Sequence, residues 1–251
     1  MIKQFVVTPS MGKRLIGKAM VVHPAIKAVL KKGTLVIVAG TTNGYIAEEV
    51  LAAAGQQMKF DHRGFRRGTV TAPGFELGSV KAEFPGDVVL VDGKWQKGKE
   101  IFDVVDDMKA GDVILKGANA LDLASGQTAV LIAHPMGGTV APAIASVIGR
   151  RVQLIVPVGL EKRVSGDLAD IASNLNATTT EGPRMMLLPG KAFTELDAIN
   201  LLTGATARLV AAGGVYGAEG SCWLAIEGDA SELAEASQLM KSLAKEPLCE
   251  P

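Results

Sequence analysis

Short runs of β-branched and apolar residues alternate along the chain with stretches of helical spacing. The runs predict buried strands at residues 35–39, 88–91, 112–116, 130–133 and 152–156, and the spacing predicts helices at 45–54, 100–108 and 139–148. Strands that are apolar throughout and alternate with helices are typical of a parallel sheet covered on both faces. The pattern therefore predicts an α/β fold with a Rossmann-like, mostly parallel sheet and helices on both faces.

Two regions depart from this alternation. Residues 59–84 are rich in Gly, Phe and Arg and predict an irregular or hairpin insertion. The tail predicts the order β-α-β-β-α, with capping boxes that begin helices at Thr194 and Asp229. We therefore expect a core domain over 1–182, with residues 183–251 forming either a small α+β subdomain or a continuation of the core sheet.

Composition excludes several classes of protein. The chain has 251 residues, 26 Lys and Arg against 26 Asp and Glu, and 48% hydrophobic residues, which fits a folded domain and lacks the basic surplus of a nucleic-acid binder. Two cysteines cannot form a disulfide framework or a four-cysteine zinc site, and the three histidines have no ligand spacing. No apolar stretch reaches the roughly 18 residues of a membrane helix. We expect a cytoplasmic location, no metal, no cofactor, and a homo-oligomer that binds neither nucleic acid nor membrane.

Two glycine-containing loops that precede helices have the features of anion sites. The first follows the strand at 35–39 and the second follows the strand at 130–133. Glycine lets backbone N–H groups approach a ligand, hydroxyl groups add donors, and a helix N-terminus carries partial positive charge. The candidate ligand-binding residues are Gly40, Thr41, Thr42 and Asn43 in the first loop, and His134, Gly137, Gly138 and Thr139 in the second. The structural alternative is that these residues only cap their helices and that His134 is structural.

Three further loops carry charged or amide side chains. After the strand at 112–116 come Gly117, Asn119 and Asp122, whose carboxylate is a candidate general base. Lys162 follows the strand at 152–156 and could pair with an anion, and Glu219 lies among glycines as a candidate base or nucleophile. The structural alternative for the loop with Asp122 is an Asx turn. For the loop with Lys162 it is a solvated run of charges, and for the loop with Glu219 it is a flexible hairpin loop.

The arginine-rich segment 61–68 stands apart from these loops. It contains three arginines, and its flanking phenylalanines Phe60 and Phe65 give it some likeness to a phosphate or RNA patch. With zero net charge overall, we favour a solvated or inter-subunit loop. A loop that faces a phosphate is the better functional option, because the guanidinium fork matches phosphate geometry.

The order of the first four loops resembles the isomerase/CoA-transferase-like superfamily, which includes ribose-5-phosphate isomerase, glucosamine-6-phosphate deaminase, DeoR-type effector domains and CoA transferases. Residues 38–43 (VAGTTN) occupy the place of the family's phosphate loop, and residues 115–122 (LKGANALD) look similar to its Asp-Gly-Ala-Asp-Glu motif. Residues 136–139 partly match its lysine-glycine run, and Lys162 is the candidate for its later lysine. The resemblance covers residues 33 to 165 and implies binding of a phosphorylated sugar or an acyl compound.

The chain departs from the family motifs at the positions that matter for catalysis. Asn119 replaces the first loop carboxylate, the glycine run lacks its lysine, and no Glu follows it. Asp122 and Glu219 are then the nearest candidates for a base. We expect a cleft that binds a phosphorylated or anionic small metabolite, in an isomerase-like enzyme, in a non-catalytic sensor, or in a CoA-transferase-like enzyme that uses Glu219. An assembly protein whose glycine loops only cap helices is a further alternative.

Overall fold

The computed structural model describes residues 1–56, 60–68, 70–71 and 84–248. The insertion predicted near residues 59–84 therefore lies largely outside the described residues, apart from 60–68, 70–71 and 84. The described helices and strands are, in chain order, β1 (Ile2–Val7), α1 (Pro9–Val22), α2 (Pro24–Lys31), β2 (Thr34–Ile37), α3 (Thr41–Ala53), β3 (Val88–Val91), β4 (Lys94–Trp95), β5 (Val113–Leu115), β6 (Ala120–Asp122), β7 (Gln127–Ile132), α4 (Val140–Arg150), β8 (Gln153–Pro157), α5 (Leu168–Asn176), β9 (Arg184–Leu188), β10 (Lys191–Phe193), α6 (Glu195–Thr203), β11 (Thr206–Ala212), β12 (Cys222–Glu227) and α7 (Ala230–Leu243).

The protein is a mixed α/β structure built around a six-stranded sheet of order β10-β8-β5-β2-β3-β4. Strands β10, β8, β5 and β2 run parallel, as the apolar runs predict, and β3 and β4 complete the sheet as antiparallel strands. The turn between β3 and β4 is Asp92-Gly93, both with positive φ (47° and 73°). An Asp-Gly pair between two strands is a strong hairpin signal, and it explains why this edge turns back on itself.

Two of the five predicted strands lie outside the parallel set. Val88–Val91 is β3, which pairs antiparallel with β2. Residues 130–133 overlap β7, which belongs to a separate three-stranded antiparallel sheet of order β6-β7-β9. A run of apolar residues indicates that both faces of a strand are buried, but it does not indicate the direction of the strand. The sequence pattern alone therefore does not separate parallel strands of the main sheet from antiparallel strands.

The helix predicted at 100–108 is wrong. The chain forms two 3₁₀ turns there, Ile101–Asp103 and Val105–Asp107, and the first begins with a capping box between Glu100 and Asp103. The four apolar residues that suggested a helical face, Ile101, Val104, Val105 and Met108, are all buried. The spacing thus identified the residues that enter the core but not the type of helix.

The tail contributes strands to all three sheets. Strand β9 pairs with β7, β10 joins the main sheet beside β8, and β11 and β12 form an antiparallel sheet with the N-terminal strand β1. Both predicted capping boxes are present, at Thr194 and at Asp229. One cluster of buried apolar side chains joins the two ends of the chain, with Leu15 of α1 and Leu224 of β12 among its members.

Among the described residues, no helix combines the length and the apolar composition that crossing a bilayer requires.

Candidate functional site

A cleft of about 1900 Å³ opens beyond the carboxyl ends of the parallel strands β2 and β5. Parallel sheets of this kind bind their ligands at this edge, because the loops that follow the strands meet there. Four of the five predicted loops line it together with the arginine segment, and the loop that carries Glu219 does not. Its lining includes Gly40, Thr41, Thr42, Asn43, Arg66, Arg67, Lys116, Gly117, Asn119, His134, Gly137, Gly138, Thr139 and Lys162.

The start of α3 forms one side of this cleft. Gly40 is the N-cap residue, and no side chain caps the first turn. Thr42 is 2% exposed, and its hydroxyl oxygen Oγ1 has no hydrogen-bond partner in the described part of the chain. Because the first N–H groups of a helix lack intrahelical acceptors, this end offers donors and partial positive charge to the cleft.

Asn43, predicted to bind ligand, is chiefly a structural tie between the two strands. Its Nδ2 donates hydrogen bonds to the carbonyl oxygens of Val38 at 2.7 Å and of Leu115 at 3.0 Å. These carbonyls lie at the ends of β2 and β5, so Asn43 holds the strands together where the cleft begins. Its Oδ1 is buried and has no partner among the described residues.

Two lysines, Lys116 and Lys162, bring positive charge to the cleft. Lys116 directly follows β5, and its backbone N–H donates to the carbonyl of Ile155 in β8. Lys162 lies in a 3₁₀ turn, Leu160–Lys162, after β8. Both residues are only partly exposed, and neither ammonium group makes a hydrogen bond or an ion pair with any other described residue. An unpaired, poorly solvated cation is costly, which favours a site built to receive an anion.

The electrostatics of the two lysines follow from this placement. Burial lowers the pKa of Lys116 to about 8, the nearby charge of Asp87 partly opposes this, and the positive charges of Arg67 and Lys162 reinforce it. Burial also lowers the pKa of Lys162, while Glu161 and Glu195 act in the opposite direction. Each ammonium group therefore loses its proton more easily than that of an exposed lysine does. An anion bound in the cleft would raise the pKa of both lysines.

The arginine segment forms a second wall. Arg67 lies 3.4 Å from Oδ1 of Asp87 and 3.0 Å from Oε1 of Glu100, and its guanidinium stacks over Phe84. Asp87 is fully buried and accepts hydrogen bonds from the backbone N–H groups of Ala39 at 2.8 Å and Ile101 at 2.9 Å. This carboxylate thereby fixes the end of β2 relative to the arginine segment.

The loop after β7 forms the opposite wall. His134 accepts a hydrogen bond from the backbone N–H of Met136 at Nδ1, 3.1 Å away, so its ring closes a turn. Gly137 and Gly138 both have positive φ, 78° and 54°. Two successive residues in this region need glycine, since other residues adopt it only with strain. Thr139 precedes α4 and makes no capping hydrogen bond with its side chain.

Asn119 is tied to β7 by its own side chain. Its Oδ1 accepts the backbone N–H of Leu131 at 3.0 Å, and its backbone N–H donates to Ala129. The residue is exposed and lines the cleft beside Gly117. Its amide nitrogen faces no acceptor among the described residues and is the atom left for a ligand.

Asp122 and Glu219, the two residues predicted to be catalytic, do not line the cleft. Asp122 ends β6, and its carboxylate accepts hydrogen bonds from the Ser125 hydroxyl and from the backbone N–H of Ala124. Glu219 lies in the loop between β11 and β12 and accepts the N–H of Gly217 at 2.9 Å. Each carboxylate thus stabilises its own turn. For Asp122 this is the Asx turn that the sequence left open as the alternative, whereas the alternative for the Glu219 loop was a flexible hairpin loop.

A buried ionic cluster lies behind Lys162. Nζ of Lys13 is 3.4 Å from Oε1 of Glu161, and Oε2 of Glu195 accepts the N–H of Leu160 at 2.9 Å. Burial, and then the neighbouring charge of Glu161, raises the pKa of Glu195 to about 8. Glycine residues make room for both carboxylates, since a Cβ at Gly12 would overlap Glu195 and a Cβ at Gly159 would overlap Glu161.

Sequence reasoning did not select Lys116, although it placed the neighbouring glycine in the site. The available signal was its position as the residue directly after a buried strand. It placed Arg67 only within a segment for which a loop facing a phosphate was the functional option, and it assigned no role to Asp87, because the pairing of these two residues joins two different segments of the chain. Within the residues that the structure describes, no group of three or more His, Cys, Asp or Glu residues has the arrangement of a metal site.

Comparison of the chain with family models, with curated proteins and with solved structures finds no match.

Proposed function

We propose that the protein binds a small anionic metabolite, of the phosphorylated class, in the cleft at the ends of β2 and β5. The observation that carries the proposal is the pair of unpartnered lysines, Lys116 and Lys162, in the same cleft as the uncapped start of α3. Phosphate suits this arrangement, because ammonium groups and helix N-terminal N–H groups both favour a compact multivalent anion.

The proposed contacts follow from the geometry of the cleft. The backbone of Thr41 and the hydroxyl of Thr42 would contact the phosphate, and Lys162 would supply charge. Gly137 and Gly138 would let backbone N–H groups approach from the opposite wall, and the amide of Asn119 would contact the hydroxyl-bearing end of the ligand. We also propose a Rossmann-like character for the parallel part of the sheet, since the cleft lies at the carboxyl ends of its strands.

Isomerisation with Asp122 as base does not form part of this proposal, because its carboxylate stabilises a hairpin turn outside the cleft. Acyl transfer through Glu219 is left out for the same reason. Glu48 does line the cleft, but Arg14 lies 2.6 Å from it and His62 lies 3.2 Å from it. Asp61 also lines the cleft and pairs with Arg63 at 2.8 Å. Both described carboxylates of the lining are thus paired, which favours a sensor or binding protein as the second candidate function.

Thermal unfolding with and without ligands tests the proposal. The probes are inorganic phosphate, ribose 5-phosphate, coenzyme A and a nucleotide. A ligand at 100 times its Kd stabilises the native state by about 2.7 kcal/mol, which raises Tm by roughly 5–10 °C in a protein of this size. We expect a shift with a phosphorylated compound and a loss of that shift in Lys162→Gln.

The matched control is Lys27→Gln, which removes an exposed lysine on α2. This variant should keep the full ligand-induced shift. If no anion raises Tm, or if Lys162→Gln responds as the unchanged protein does, the cleft does not hold the anion as proposed.

A further inference from the structure

Lys116 differs from an ordinary surface lysine in four respects. It follows the central strand β5 directly, lines the cleft, is largely shielded from water, and has no partner among the described residues. While no anion is bound, the shielded position of Lys116, close to the positive charges of Lys162 and Arg67, raises the share of its neutral amine, which is the nucleophilic form of lysine.

We propose that Lys116 forms an imine with the carbonyl group of a phosphorylated aldehyde or ketone. This inference rests on the proposed function, since the phosphate must be held by Lys162 and the start of α3. Asn43 fixes the required geometry, because its Nδ2 bonds to the carbonyl of Leu115, the residue before Lys116. The backbone before Lys116 and the helix that carries Asn43 are therefore tied together, and Lys116 and the start of this helix line the same cleft.

The chemistry balances without an external oxidant or reductant. The lone pair of the neutral Nζ attacks the carbonyl carbon, a C–N bond forms as the carbonyl π bond breaks, and one proton passes from the nitrogen to the carbonyl oxygen to give a carbinolamine. The C–O bond of the carbinolamine then breaks, the C=N bond forms, and the second proton of the nitrogen leaves with the hydroxyl group as water. Each cycle of imine formation consumes one amine and one carbonyl and releases one water.

The charge state of Lys116 makes the step feasible near neutrality. With a pKa of about 8, the neutral amine is present at pH 7.5 at roughly 200 times the level found at a lysine with the ordinary pKa of 10.5. The same comparison predicts that labelling of Lys116 rises with pH and levels off above pH 8, while labelling of exposed lysines continues to rise.

Reductive trapping of the intact protein tests the inference. The probes are dihydroxyacetone phosphate and glyceraldehyde 3-phosphate, with sodium borohydride added to reduce the imine to a stable amine. Peptide mass mapping then locates the adduct. We expect labelling of Lys116 at least about tenfold above that of exposed Lys27 at pH 7.5, given its larger share of neutral amine. Inorganic phosphate should compete.

Two readouts separate the inference from the proposed function: the phosphate-induced rise in Tm and the labelling of Lys116. Lys116→Arg removes the primary amine, so the adduct at this position should be lost, whereas Lys27→Arg, a substitution of an exposed lysine outside the cleft, should leave the labelling of Lys116 unchanged. A phosphate-induced shift without selective labelling of Lys116 overturns the imine and leaves the proposed function standing. If phosphorylated compounds give no shift, both fail. The labelling of the unchanged protein answers the question even if Lys116→Arg does not fold.

Discussion

The backbone N–H of Leu160 donates a hydrogen bond of 2.9 Å to Oε2 of Glu195. This bond joins the turn that carries Lys162 to the first residue of α6, which lies beyond the edge strand β10. Glu195 is 2% exposed, and the carboxylate of Glu161 is close enough to influence it. A buried carboxyl group thus supports, from behind, the turn that brings a lysine to the cleft.

Stability should fall between about pH 4.5 and pH 8 because of Glu195. Its folded-state pKa of about 8 lies above the ordinary value of 4.5, so the folded protein retains a proton that the unfolded chain releases. Stabilisation from this group is complete below pH 4.5 and is lost as pH rises toward 8. Glu195→Gln should flatten this part of the profile, by an amount on the order of a few kcal/mol. Denaturant unfolding from pH 5 to 9 measures it.

Glu227→Gln is the matched control, because Glu227 is exposed on β12. It should leave the pH dependence of the unfolding free energy unchanged. A profile of the Glu195→Gln variant that parallels that of the unchanged protein would show that Glu195 is ionised in the native state throughout this range.

Asp87→Ala should destabilise the protein by roughly 2–4 kcal/mol, because two buried N–H groups lose their acceptor. The donors are Ala39 and Ile101, and Arg67 loses an ion-pair partner as well. The comparison variant is Asp106→Ala, whose carboxylate is 95% exposed and 4.0 Å from Arg150. An exposed pair of this kind contributes about 0–1 kcal/mol. Urea unfolding measures both, and equal effects would show that Asp87 does not anchor the strand end.

The glycine pair at 137 and 138 should matter for ligand binding more than for folding. Gly138→Ala places a side chain at φ 54°, which costs about 1 kcal/mol and disfavours the backbone conformation in which the loop presents its N–H groups. We expect a smaller phosphate-induced shift in Tm. Gly149→Ala in α4 is the control: its Cβ meets nothing within 4 Å, so it should stabilise the helix by roughly 0.5–1 kcal/mol and leave binding intact. Equal binding by both variants would remove this loop from the proposed site.

How far the sequence predicts the site depends on whether a feature is local. The strand before Gly40 and the strand before Gly117 are visible as apolar runs, and the two loops after them meet because β2 and β5 are parallel neighbours. The role of Asn43 was not predictable, because its second acceptor, the Leu115 carbonyl, is a backbone atom distant in sequence.

Asp122 shows a second limit of the sequence pattern. An Asp after a strand and a glycine turn suggests a catalytic base, but this pattern is equally that of an Asx turn, and the side chain bonds to Ser125 and Ala124 within three residues. The chain leaves the main sheet between Lys116 and Asp122 to form the hairpin of β6 and β7. That departure carries Asp122 away from the cleft, and an apolar strand pattern contains no sign of it.

The tie made by Asn43 predicts a specific order of stability among variants. Its Nδ2 faces the carbonyl oxygens of Val38 and Leu115, so the position requires a donor. Asn43→Ala should cost roughly 2–3 kcal/mol through two lost hydrogen bonds in a buried place. Asn43→Asp should cost more, because a buried carboxylate would oppose two carbonyl oxygens with no donor between them. Its penalty should shrink at acidic pH, where the protonated carboxyl group can donate to one of the two carbonyls, whereas the penalty of Asn43→Ala should not change.

Urea unfolding at pH 5 and pH 8 gives both comparisons. If Asn43→Asp proves as stable as Asn43→Ala at pH 8, the side chain does not tie β2 to β5 by donation, and the junction at the base of the cleft depends on backbone pairing alone.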